Sequence, residues 1–122
     1  IQNDIFAGSV SQSELNAFYE SAHLFLCMSE HEGFCIPLIE SMVHGLPILA
    51  YAAGAAPETL NGAGVLFREK RWDNIAEMME KLLKDADLRA KIIAGQQERL
   101  CRYESRNLAD ELKRILLPFL PA

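Results

Sequence analysis

The first half of the sequence has no lysine or arginine, because all 12 basic residues lie between Arg68 and Arg114. The formal net charge of −5 disfavours nucleic acid as the main partner. The chain also lacks an uncharged apolar stretch of about 18–20 residues, so we expect no membrane-spanning helix. The sequence is 50% hydrophobic over 122 residues, which is enough for the core of one domain and excludes a disordered chain.

Cysteine and histidine are scarce, with 3 of each. Three cysteines without C-x-x-C spacing disfavour a disulfide framework and predict a reducing, cytoplasmic setting. Cys27, His31 and Cys35 lie near one another in the sequence but lack the paired spacing of metal ligands. Cys27 lies within an apolar run, where a buried, small hydrophobic side chain is the simpler interpretation. We therefore predict no metal site.

Short apolar runs alternate with helical patterns over the first half, which is typical of βαβ units and a parallel sheet. The runs predict four strands, at residues 5–7, 24–28, 48–51 and 64–67. The second run is continuous and does not alternate with polar residues, which predicts a strand buried on both faces.

Local signals predict where the intervening helices begin and end. Ser11 and Glu14 form a capping box, which begins the first helix. Pro37 suits the first turn of the second helix, and Gly45 is a typical residue at a helix end.

The pattern is wholly helical from Trp72 onward. One apolar stripe is formed by Trp72, Ile75, Met79 and Leu82. Asp85 begins a second helix with one side formed by Leu88, Ile92, Gln96 and Leu100. Ser105 is predicted to begin a third. We predict an α/β fold in which residues 1–70 form a Rossmann-like parallel sheet with flanking helices and residues 71–122 an all-helical C-terminal tail.

The region 29–58 combines the features of an anion-binding site. Glu32 and Gly33 follow a predicted strand, and ligands of open α/β sheets bind outside the carboxyl ends of the strands. The backbone amides from Gly33 to Ile36 lead into a helix N-terminus, whose dipole and unpaired N–H groups favour a phosphate. Glu40 lies in the first turns of that helix.

Two carboxylates therefore flank the predicted anion site, Glu32 on a loop and Glu40 on a helix. The two oxygens of a carboxylate accept hydrogen bonds from adjacent hydroxyls, which a ribose and a hexose both offer. Either acid taken alone is more simply a solvated surface residue. Taken together, they predict a nucleotide-sugar site.

Four short motifs occur in order along the chain. They are an aromatic-x-G-x-V start at 6–10, E-G-F-x-x-P-x-x-E at 32–40, G-x-P-I at 45–48 and G-x-x-P-E at 54–58. The series resembles the family 4 retaining glycosyltransferases of the GT-B fold. The resemblance implies that residues 1–122 are a truncated, C-terminal, nucleotide-sugar-binding domain of a longer enzyme.

The resemblance also implies roles for the motif residues. Glu32 would be the catalytic residue, which binds hydroxyls of the transferred sugar and orients it without attacking it. Glu40 would bind the nucleotide ribose. The sugar and diphosphate would be held by backbone amides of Gly33, Phe34, Cys35 and Ile36. Cys35 stands where the family usually has glycine, which bears on the identity of the donor sugar. Glu58 has two interpretations that stay open, a helix cap beside the nucleotide and a ligand contact.

The implied activity is transfer of a sugar from a nucleoside-diphosphate sugar to an acceptor, with retention of the anomeric configuration and without a metal or other cofactor. Uridine and guanosine diphosphate sugars both fit. The acceptor, a glycan or a lipid-linked sugar, would bind an N-terminal domain that this chain lacks, so we expect the chain alone to be inactive. The parent would be cytoplasmic or peripheral to the inner face of the membrane.

Two alternative functions stay open at this point. One is a GT-B nucleotide-sugar epimerase, and the other is a non-catalytic module that binds nucleotide sugars. The predicted strand at 5–7 would also lack its usual neighbours in the sheet, and a homodimer of the chain would cover that edge.

Overall fold

The computed structural model describes residues 4–30 and 36–105, the last two without their side chains. The helices are α1 (Gln12–Ser21), α2 (Ile36–Val43), α3 (Ala56–Leu60), α4 (Trp72–Lys84) and α5 (Ala86–Ser105). The strands are β1 (Phe25–Cys27), β2 (Ile48–Tyr51) and β3 (Val65–Phe67). All three are parallel and lie in the order β1-β2-β3. The predicted α/β class is confirmed.

Strand β2 is central and is buried on both faces. Its alternate side chains enter different core clusters, because successive residues of a strand point to opposite faces. Ile48 packs with Leu38 of α2 and Leu60 of α3. Leu49 packs on the other face with Ile75 of α4. Helices α2 and α3 provide the crossovers that parallel strands require.

One strand prediction was wrong, and a second was wrong about burial. Residues 5–7 form no strand, and Ile5 and Phe6 are 83% and 94% exposed. A segment this short becomes a strand only beside a partner for its backbone groups, and none of the described strands lies next to it. In β1, predicted to be buried on both faces, Leu26 is 36% exposed. As the edge strand of the described sheet, β1 has a neighbour on one side only. The homodimer stays a prediction.

The predicted helix ends are largely confirmed. Ser11 Oγ accepts a hydrogen bond from the Glu14 N–H at 3.2 Å, and the Glu14 carboxylate accepts one from the Ser11 N–H at 3.3 Å. Gly45 follows α2 in the left-handed region, with a φ of 69°. Asp85 Oδ1 accepts the N–H of Leu88 at 3.0 Å where α5 begins.

Two predictions for the helical tail differ from the structure. Trp72 is 69% exposed, because it lies in the first turn of α4 and the core on that side begins at Ile75. Ser105 is not at the start of a new helix but belongs to α5, which is continuous from Ala86. The rest of the predicted third helix lies outside the described residues.

Helix α5 is linked to the sheet by a fully buried glutamine. Gln96 Oε1 accepts the N–H of Ile48 at 2.9 Å, and Gln96 Nε2 donates to the carbonyl of Leu46 at 2.6 Å. The neighbouring Gln97 donates to the carbonyl of Met42, near the end of α2, at 2.7 Å. The two bonds of Gln96 pair backbone groups at the start of β2. The Met42 carbonyl also accepts the N–H of Gly45 at 3.1 Å, so Gln97 adds a second bond to it.

The same face of α5 holds the end of α3. Arg99 Nε donates to the carbonyl of Thr59 at 3.1 Å, and Arg99 Nη2 donates to that of Glu58 at 3.1 Å. The Tyr103 hydroxyl also donates to the Thr59 carbonyl, and the Arg99 guanidinium lies 4.1 Å from the Tyr103 ring centroid. Helix α5 therefore fixes both crossover helices at their C-terminal ends.

We predict that Gln96→Leu lowers the free energy of unfolding by about 2–4 kcal/mol, because it leaves a buried N–H and a buried carbonyl without partners. Chemical denaturation monitored by circular dichroism measures the change. The matched control is Gln97→Leu, which removes a single bond from a partly buried position, with an expected loss of about 1 kcal/mol. Equal losses for the two variants would contradict the role given to Gln96.

Candidate functional site

Three chain segments meet at the carboxyl edge of the sheet, because the carboxyl ends of parallel strands point the same way. They are the residues that follow β1 from Met28, the loop 52–55 after β2 and the loop 68–71 after β3. Helix α2 begins at this edge, with Ile36 as its first residue. Open α/β sheets bind ligands in this position.

An ion pair joins two of these segments. Lys70 Nζ, after β3, lies 2.8 Å from Glu30 Oε1, after β1. The same ammonium group lies 4.7 Å from the ring centroid of Tyr51, the last residue of β2. Lys70 therefore contacts groups at the ends of both other strands. No motif in the sequence points to Lys70 or Tyr51. The available signal is that the first basic residues of the chain follow directly after the last predicted strand.

Glu40 lies in the second turn of α2 and is partly buried. Burial raises the pKa of its carboxyl, because a charged carboxylate loses solvation. A hydrogen bond from the Gln12 side chain and the nearby His44 both act to lower that pKa, with smaller effects. His44 is itself stacked on Tyr19, with ring centroids 5.0 Å apart. Residues of α1 thus form part of the surroundings of Glu40.

The structure describes only some of the predicted ligand residues. Ile36 and Glu40 lie one turn apart on α2, whose first described residue is Ile36. Glu32, Gly33, Phe34 and Cys35 lie outside the described residues, as does His31 of the rejected metal set. Their roles stay predictions.

Glu58 is exposed and lies in the first turn of α3, where the helix dipole favours a negative charge. The N-cap residue is Ala55, which makes no side-chain capping bond. The backbone carbonyl of Glu58, and not its carboxylate, accepts from Arg99. Its two interpretations stay open.

Hollows away from this edge include two larger ones. One, of about 770 Å³, follows the junction of α4 and α5 between Glu77 and Asp87. The other, of about 290 Å³, lies at the opposite edge of the sheet beside His44 and Arg89. Size alone favours the first as a binding site, but it is shallow and lined mainly by solvated charged residues. The carboxyl edge has the chemistry expected for a phosphate ligand.

The sequence model of the family described as "Glycosyl transferases group 1" matches residues 2–99. The chain belongs to this family. A solved structure of a family member, the C-terminal domain of LpcC from Francisella tularensis, superposes with a TM-score of 0.67 at 27% identity. The match covers 80% of this chain and 51% of that one. It confirms the predicted GT-B type of fold.

Curated relatives include transferases that are named for different sugars. The sulfoquinovosyl transferase SQD2 of Arabidopsis thaliana is 26% identical over 89% of this chain and 22% of its own length. A GDP-mannose:cellobiosyl-diphosphopolyprenol alpha-mannosyltransferase of Xanthomonas campestris is 34% identical over 82% of this chain and 27% of its own length. The chain therefore spans less than a third of either relative. Membership of family 4 stays a prediction.

Within the described residues, no helix has the length and apolar character needed to cross a membrane.

We predict that the stability effect of Glu40 depends on pH in a direction set by its raised pKa. The folded chain keeps the Glu40 proton to a higher pH than the unfolded chain, so the free energy of unfolding falls as pH rises from about 4.5 through the folded pKa. Glu40→Gln lacks this titration. Its stability relative to the parent should therefore increase between pH of about 4 and about 7.

Urea denaturation of both proteins across this pH range measures the difference. The control is Glu77→Gln, which removes an exposed carboxylate of α4 and should show no such increase. A constant difference between Glu40→Gln and the parent at all pH values would contradict the effect of burial.

Proposed function

We propose that the protein containing this chain transfers a sugar from a nucleoside-diphosphate sugar to a glycan or lipid-linked acceptor, with retention of the anomeric configuration. This chain forms part of the domain that binds the donor. The observation that carries the proposal is the partly buried carboxylate of Glu40 on the helix that begins at the carboxyl edge, in a chain of this family.

The environment of Glu40 suits a hydroxyl ligand. A fully exposed carboxylate already accepts hydrogen bonds from water, so a ligand hydroxyl adds little binding free energy. A partly desolvated carboxylate has fewer bonds to water and gains more free energy from each hydroxyl that donates to it. A ribose offers two adjacent hydroxyls, which match the two carboxylate oxygens. Glu40 therefore holds the ribose and positions the rest of the donor along the edge of the sheet.

The remaining ligands follow from the motif that precedes α2. The backbone amides of residues 33–36 bind the diphosphate and sugar at the start of the helix, and Glu32 binds and orients the sugar. The diphosphate, as it leaves, accepts the proton of the acceptor hydroxyl on the same face of the sugar. The protein supplies orientation and charge stabilisation, and neither a metal nor a cofactor takes part.

The names of the relatives support a nucleotide donor and leave its sugar open. The Xanthomonas campestris relative is named for GDP-mannose, whereas the Arabidopsis thaliana relative is named for sulfoquinovose. We accordingly propose a donor with a guanosine or uridine diphosphate. The acceptor binds the rest of the protein, which is cytoplasmic or peripheral to the inner face of the membrane.

Nucleotide release by the full-length protein tests this function. The protein is incubated with uridine, guanosine and adenosine diphosphate sugars and an acceptor-containing cell extract. We expect release from one donor, and a fall in kcat/KM of about 10–100-fold in Glu40→Ala, the range for loss of a hydrogen bond to a charged group. The matched control, Glu77→Ala, removes an exposed carboxylate of α4 and should retain full activity.

The negative results separate the alternatives. Binding of a nucleotide sugar without release of the nucleotide would favour the non-catalytic binding module. Conversion of the donor sugar without an acceptor would favour the epimerase. An inverted anomeric configuration in the product would contradict retention.

A further inference from the structure

In the part of the chain that the structure describes, the basic side chains at the carboxyl edge of the sheet lie on one loop. No lysine or arginine precedes Arg68, and the loop after β3 then contains Arg68, Lys70 and Arg71. The two arginines are exposed, whereas the side chain of Lys70 is only 28% exposed. A diphosphate needs cationic donors at its oxygens, and charge-assisted hydrogen bonds from such donors are the strongest available.

Lys70 is also held in the position that such a ligand would approach. Its ammonium group lies between the Glu30 carboxylate, at 2.8 Å, and the face of the Tyr51 ring, at 4.7 Å from the centroid. An ammonium has three N–H donors, so a bond to Glu30 does not prevent a second bond to a phosphate oxygen. A side chain already confined in this way loses less rotational freedom when a ligand binds.

We infer that Lys70 contacts the diphosphate of the donor. The inference rests on the proposed function, because the diphosphate is that of the proposed donor. Glu30 acts as the partner of the ammonium in the absence of ligand, and Tyr51 keeps the ammonium above the end of the central strand.

Titration calorimetry of the full-length protein with UDP and GDP, and with the corresponding monophosphates, tests the contact. We expect Lys70→Met to weaken binding of the preferred diphosphate about tenfold, as for loss of one charge-assisted hydrogen bond. The same substitution should change the Kd of the monophosphate less than that of the diphosphate. It should also make the Kd of the diphosphate depend less on salt concentration. Lys70→Arg, which keeps the charge, should restore most of the affinity.

Two further variants separate a direct contact from an indirect one. Lys91→Gln removes an equal charge from an exposed position on α5 and should leave every Kd unchanged. Glu30→Gln removes a negative charge beside the ligand, so direct contact predicts a diphosphate Kd that is equal or lower. If Lys70 acted only by holding Glu30 in place, Glu30→Gln would weaken binding as much as Lys70→Met does. Thermal unfolding of each variant verifies the fold.

The outcomes distinguish this inference from the function on which it rests. A wild-type protein that binds a nucleotide, together with a Lys70→Met variant of unchanged Kd, would overturn the inference alone. Equal weakening by Lys70→Met and Glu30→Gln would also overturn it. A wild-type protein that binds none of the four nucleotides would overturn the proposed function, and the inference with it.

Discussion

The two hydrogen bonds of Gln96, one to the N–H of Ile48 and one to the carbonyl of Leu46, hold the chain where it enters the central strand. Gly64 passes so close to this point that an added Cβ would lie 3.3 Å from the Ile48 carbonyl oxygen. Because β2 pairs with both other strands, its position sets the register of the whole described sheet. The register in turn places the strand ends at which Lys70 meets its partners. The proposed site therefore depends on contacts at the opposite edge.

Features with a local cause were predictable from the sequence. The capping box at Ser11, the left-handed Gly45 and the cap at Asp85 each depend on a few neighbouring residues, and the structure confirms all three. Helical spacing also placed Gln96 on the same side as the apolar residues of α5, and it is buried. Its hydrogen-bond partners were not predictable, because they lie 48 and 50 residues away.

Predictions failed where a residue's environment depends on distant parts of the chain. Leu26 and Trp72 belong to apolar patterns, but hydrophobic spacing identifies a face and does not show whether another element covers it. The ion pair between Glu30 and Lys70 joins residues 40 apart in the sequence, which only the parallel arrangement of β1 and β3 brings together. For the site, the motif at 32–40 predicted the helix that the structure describes as α2, whereas no motif pointed to the cationic loop after β3.

The contacts at the two edges of the sheet differ: those at the amino edge are buried, and those at the carboxyl edge are charged and partly exposed. We therefore expect the amino edge to matter mainly for stability and the carboxyl edge mainly for binding. At the amino edge, buried amides satisfy backbone groups, and removing one leaves an unsatisfied group inside the protein. At the carboxyl edge, the charged side chains of Glu30 and Lys70 keep partial contact with water, and an ion pair in contact with water adds little to stability. A substitution at Lys70 should therefore change the affinity for an anion more than it changes the free energy of unfolding.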